Sequence, residues 1–252
     1  NCCIYLDDDT MLEPLAIAHR ETCEAAALAG NTFVRNDQTF RFRRGDEGFS
    51  HVVGKSGDAA VDHAMFERLG MSGGGMVDFS RKFSEADGKG EVSVELAFAT
   101  DPRAPDAPFF VCEDVVSDGP DRSALRKHKN GAVGIAEVVI AEPNPSDFQY
   151  FLQTFFDQRE VEADSFGISL DLGGSTITAL TPDGLQAHFA MDGERTERGM
   201  RFFGFVIGVS DLSATRILLK RNDVSFSERL GKLVVPPAEG QGCMIAFQEV
   251  QA

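Results

Sequence analysis

Two sets of residues in this chain have types suited to chemistry: the run Phe40-Arg41-Phe42-Arg43, and a scatter of five histidines and five cysteines. The alternation over Phe40–Arg43 predicts a strand with one aromatic and one basic face. Arg41 and Arg43 then share a side, and paired guanidinium forks suit the carboxylate or phosphate of a small anionic ligand. A charged guard on an exposed strand edge is the structural alternative. His128 precedes the turn dipeptide Asn130-Gly131, and His19, His63 and His188 each stand alone, so these four read as ordinary surface or packed histidines. Cys2, Cys3, Cys23, Cys112 and Cys243 form neither a disulfide framework nor a metal knuckle, which points to a reducing cytoplasm. Cys112 has no neighbouring base and lies in an apolar run, so it reads as a small core residue. Gly73-Gly74-Gly75 lacks the lysine-hydroxyl ending of a phosphate loop and serves as a joint.

Composition narrows the partners. The 252 residues carry 24 Lys plus Arg against 40 Asp plus Glu, a formal charge of −16. Such a body repels phosphate backbones and anionic bilayers, so neither nucleic acid nor membrane is expected as a partner. The longest apolar stretch, Phe202–Val209, contains two glycines and falls far short of the roughly 20 residues that a membrane span needs. No secretory leader pattern is visible, and the opening at Asn1 without Met suggests an upstream segment.

Positioning falls to alternating strand-like and helix-like segments. Asp7–Thr10 reads as a hairpin turn between Asn1–Leu6 and Met11–Ile17, followed by an Ala-rich helix over Glu21–Gly30. Apolar spacing predicts a helix over Asp58–Leu69, and alternation predicts strands over Glu91–Ala99 and Phe109–Val115. The turn-rich stretch 117–130, broken most clearly at Gly119-Pro120, separates an N-terminal half (1–116) from a C-terminal half (131–252). There the pattern restarts: strands over Gly134–Ala141, Phe166–Leu172, Thr176–Leu180, Leu185–Met191 and Phe202–Val209, with helices over Pro145–Phe156 and Asp211–Lys220. Three starts superpose, Phe49-Ser50-His51-Val52-Val53, Ile135-Ala136-Glu137-Val138-Val139 and Phe202-Phe203-Gly204-Phe205-Val206, each followed by a polar cap and a helix. Such self-similarity marks a repeated supersecondary unit.

These units resemble the glyoxalase-like proteins of the vicinal-oxygen-chelate superfamily. The resemblance rests on Asp7-Asp8-Asp9-Thr10-Met11-Leu12-Glu13-Pro14-Leu15, Gly48-Phe49-Ser50, Ser80-Arg81 and Glu95-Leu96-Ala97-Phe98. Its tightest part is Pro108-Phe109-Phe110-Val111-Cys112-Glu113 followed by His128-Lys129-Asn130-Gly131-Ala132. It implies an α+β fold of βαβββ modules paired into cup-shaped sheets, in two halves. It further implies that first and last strands donate metal ligands, which by position are Glu13, His51 and Glu113, with a fourth upstream of Asn1. Each is flanked on its own strand face by apolar residues, as a recessed site requires. Glu137 aligns with His51, but Gly204 stands at that place in the last module, so no second metal site is expected.

The expected cofactor is a divalent ion (Zn, Ni, Mn or Fe) acting as a Lewis acid in the N-terminal cup, with Glu113 moving a proton and Arg41 and Arg43 binding substrate. That is lyase or isomerase chemistry on a small oxygen-bearing metabolite in a bacterial cytoplasmic protein. The alternative is a metal-free cup that sequesters a small aromatic or drug-like molecule. The expected partners are a small-molecule ligand and a second copy of the chain in a homodimer.

Overall fold

The computed structural model describes residues 2–85, 88–117 and 122–250, with only the backbone described within 81–90 and over 116–117. The Gly119-Pro120 break lies outside the described residues. Two compact units emerge, one of Asn1–Ala16, Glu47–Phe49 and Arg122–Ala252, the other of Ile17–Asp46 and Ser50–Asp121.

The chain opens with a short antiparallel hairpin, β1 (Ile4–Tyr5) and β2 (Met11–Leu12), in the first unit. Asp8 fixes its turn: the carboxylate accepts from Thr10 N at 2.9 Å, and Asp8 N donates to Val133 O at 3.0 Å. A ring nitrogen of His128 lies 2.7 Å from Tyr5 O.

The second unit begins with helices α1 (Arg20–Leu28) and α2 (Thr32–Arg44) and continues as one βαβββ module. Its elements are β3 (Val52–Lys55), α3 (Ala59–Arg68), β4 (Val77–Glu85), β5 (Gly88–Ala99) and β6 (Phe109–Ser117). The strand order is β3-β6-β5-β4, with β3 parallel to β6. Asp58 starts α3 by accepting from Val61 N at 2.9 Å, as a helix N-cap should. α3 packs against β5 and β6 on one sheet face. The opposite face carries Leu96, Phe98 and Phe110, against which Phe33 of α2 packs.

The first unit continues with two further modules. β7 (Ala132–Ala141), a 3-10 turn running into α4 (Gln149–Phe155), β8 (Glu162–Ala163), β9 (Gly167–Asp171) and β10 (Thr176–Leu180) form one. After α5 (Pro182–Phe189), β11 (Arg201–Val209), α6 (Leu212–Arg221), β12 (Ser227–Arg229), β13 (Lys232–Val235) and β14 (Met244–Glu249) form the other. The strand order is β12-β13-β14-β11-β7-β10-β9-β8, and the antiparallel pair β7–β11 joins the modules. Phe205, Ile207, Leu233 and Phe247 make a core on one face, with Leu212 and Leu219 from α6 packed against it. On the other face Val139, Val206, Val234 and Met244 meet Leu185 and Phe189 of α5. Burying those last two side chains contributes about 2 kcal/mol each.

Two expected strands are helices. Phe40–Arg43 belongs to α2, because Asn31 caps the helix upstream, accepting from Val34 N at 3.0 Å, and Gly45 at φ 101° ends it. Phe33, Asp37 and Arg41 then recur at i, i+4 and i+8 and share a side. Leu185–Met191 instead begins inside α5, started by Thr181, whose hydroxyl accepts from Gly184 N at 3.0 Å, and by Pro182 in the first turn. Strand β4, over Val77–Glu85, has no counterpart in the sequence reading.

Candidate functional site

His51 stands one residue before β3, on the side of the four-stranded sheet that α2 covers. Its ring stacks on Phe33 at 5.7 Å between centroids and meets Phe110 edge-on at 5.7 Å. Nδ1 lies 3.0 Å from Ser50 Oγ, while Nε2 is buried without a hydrogen-bond partner. Burial lowers the imidazole pKa to about 4, with a smaller upward pull from Asp37, so the ring is neutral at neutral pH.

Glu113 occupies a different place. Its Oε2 accepts from Ala59 N at 2.8 Å, at the start of α3. Phe110 contacts His51, and Glu113 lies an odd number of residues further along β6, so it projects from the opposite face. The parallel register pairs Val52 with Phe109 and Lys55 with Cys112, which sets Glu113 beside Ser56. Five residues of strand separate that position from His51, about 16 Å. The two side chains cannot share an ion. Glu13 lies in the other unit, exposed just beyond β2. Among the described residues no group of three His, Cys, Asp or Glu side chains is arranged to hold a metal.

Arg41 and Arg43 leave the expected strand and turn to carboxylates on α2 and nearby. Arg41 Nε donates to Asp37 at 3.0 Å, and Arg43 pairs with the buried Asp106, which Arg44 also approaches at 3.9 Å. These pairs tie α2 down within its own unit. The equivalent place in the last module is closed: Gly204 faces Met244 across β11 and β14, and an added Cβ would collide with the Met244 carbonyl and lie 2.8 Å from its Cβ. Glu137 instead meets Lys232 Nζ at 3.8 Å, and that ammonium lies 5.5 Å from the Phe189 ring centre.

A cavity of about 210 Å³ opens on the α5 side of the eight-stranded sheet. Cross-strand register builds its polar wall: Glu162 of β8 faces Ser169 of β9, which faces Thr178 of β10. Thr178 is two residues from Leu180, which packs with α5, so the row points to the helix side. Thr178 is only 8% exposed and lines the cavity, and its hydroxyl makes no hydrogen bond among the described residues. His188 comes from α5, held edge-on against Phe166 at 5.6 Å, and also lines the cavity. Asp164 closes one end, its Oδ1 accepting from Phe166 N and Gly167 N. On the strand expected over Leu185–Met191, His188 has nothing to converge with; on α5 it reaches the Thr178 side of the sheet.

Comparison with known proteins follows the architecture. A family model described as a glyoxalase-like domain matches residues 1–156. A hypothetical protein from Staphylococcus aureus superposes with a TM-score of 0.65 at 13% identity, covering 98% of this chain and 84% of that one. A mutant 4-hydroxymandelate synthase from Streptomyces coelicolor gives 0.53 at 12% identity, covering 88% and 75%. An Mn(II)-bound glyoxalase from Novosphingobium aromaticivorans gives 0.48 at 13% identity, covering 79% and 62%. No curated protein matches the sequence. At these identities the structural likeness concerns the fold.

Proposed function

The chain belongs to the glyoxalase-like domain family of the vicinal-oxygen-chelate superfamily, and we propose that it binds a small organic molecule, without metal-assisted turnover, in the cavity beside α5. The observation that carries this reading is Thr178, a residue only 8% exposed that lines the cavity and whose hydroxyl makes no hydrogen bond among the described residues. The hydroxyl opens onto the cavity, so a ligand polar atom there gains a hydrogen bond of about 0.5–1.5 kcal/mol. Ser169 and His188 offer further hydrogen-bonding groups around the same space. At about 210 Å³ the cavity suits a ligand smaller than the usual drug-sized occupant. The binding role thus moves from the N-terminal half to the eight-stranded sheet.

A ligand-detected NMR screen of the purified chain against a fragment panel tests this. Saturation transfer that disappears in Ser169→Phe, with the circular dichroism spectrum kept, is the expected result. Transfer that is absent, or untouched by filling the cavity, overturns it.

Metal-assisted lyase or isomerase chemistry is the second reading, favoured by the partnerless Nε2 of His51. His51 would supply one imidazole to a Zn, Ni, Mn or Fe ion, but Glu113 stands about 16 Å along the strands and on the other face, so the expected ligand set does not fit. Elemental analysis decides between the two. Near-stoichiometric metal that is lost in His51→Ala sustains the second reading, and metal content indifferent to His51 removes it.

A further inference from the structure

Resting on that binding reading, we infer that the cavity beside α5 selects a hydroxyl-bearing amine, such as an amino sugar or amino alcohol, over anionic molecules of the same shape. The polar row Glu162–Ser169–Thr178 runs across three adjacent strands at directly opposed register positions, so its side chains lie within one or two strand spacings of each other. At one end stands an exposed carboxylate with no ion-pair partner among the described residues, and at the other the hydroxyl of Thr178, a residue only 8% exposed. An ammonium at the Glu162 end gains a charge-assisted hydrogen bond, and a ligand hydroxyl at the Thr178 end pairs with the hydroxyl that opens onto the cavity. Asp164 adds a second negative charge at the same end, its Oδ1 already committed to two backbone amides. Among the described residues no Lys or Arg lines the space, and the chain as a whole carries −16. A carboxylate or phosphate would enter against all of these charges. His188 can donate or accept, which suits a second ligand hydroxyl.

The test uses three probes that share one ring: glucosamine, glucose and glucuronate, compared by saturation-transfer NMR at pH 7 on the full chain, alongside the fragment panel. The expected order is glucosamine, then glucose, then glucuronate, with glucosamine about tenfold ahead of glucuronate. Glu162→Gln should erase most of that gap, and the near-isosteric Thr178→Val should weaken glucosamine and glucose alike. Equal binding of glucosamine and glucuronate, a preference that survives Glu162→Gln, or panel compounds that occupy the cavity while none of the three sugars does, each overturns the selectivity and leaves the binding reading standing. Silence from every probe and every panel compound overturns the binding reading itself.

Discussion

An imidazole wedged between Phe33 and Phe110 is hard to protonate, and this has a consequence for stability. The unfolded chain takes up a proton at His51 near pH 6.5, the folded chain only near pH 4. Between those values the unfolded state binds more protons, so stability falls as the pH drops, by about 3 kcal/mol over the window. Carboxylates titrate there too, so the comparison that isolates the effect is wild type against His51→Leu. Urea unfolding at pH 6.5 and 4.5 should show the variant losing about 2 kcal/mol less than wild type; parallel losses would exclude His51 as the group responsible. At this scale the sequence disclosed which residues were unusual but not where they met. Family position groups Glu13, His51 and Glu113, whereas strand register sets the last two on opposite faces. Thr178 and Ser169 drew no notice, since a hydroxyl on a strand is unremarkable until its partner strand is known.

Element boundaries were legible where caps were written in the sequence. Asp58 and Asp211 start α3 and α6, each accepting from backbone amides of the first turn. The failures came from short patterns: four alternating residues at Phe40–Arg43 were outweighed by an Asn31 cap nine residues earlier. Glu113 now serves α3 as an acceptor for Ala59 N, so Glu113→Ala should cost about 1 kcal/mol in thermal unfolding. A larger effect is expected beyond β7. There Glu142, 1% exposed, accepts from Asn144 N at 3.0 Å, Arg198 Nε at 2.6 Å and Gly199 N at 2.7 Å. Replacing it with Ala leaves the buried Gly199 amide unpaired and frees Arg198, and should cost about 3 kcal/mol. A variant as stable as wild type would mean that water takes over these bonds.

Across the whole molecule, the repeated starts at Phe49, Ile135 and Phe202 correspond to three βαβββ modules, each with its first and last strands parallel. That much was legible because each module pairs an apolar strand with a capped helix, a signal that survives irregular spacing. Strand β4 and the covering role of α5 were not, because a strand with polar residues and a short helix leave weak periodicity. Net charge acts at this scale too. With −16 overall, self-repulsion should be relieved by salt, raising the unfolding free energy by about 1 kcal/mol between roughly 10 and 150 mM NaCl. A melting point that stays flat over this range would show that local ion pairs already balance the surface. The tight crossing at Gly204 also limits what substitution can achieve. Since any side chain there collides with the neighbouring strand's backbone, no single substitution places a coordinating group at that point. The last module can carry one there only if Met244 and its strand shift together with the substitution, so that position accepts change only in concert with its neighbour.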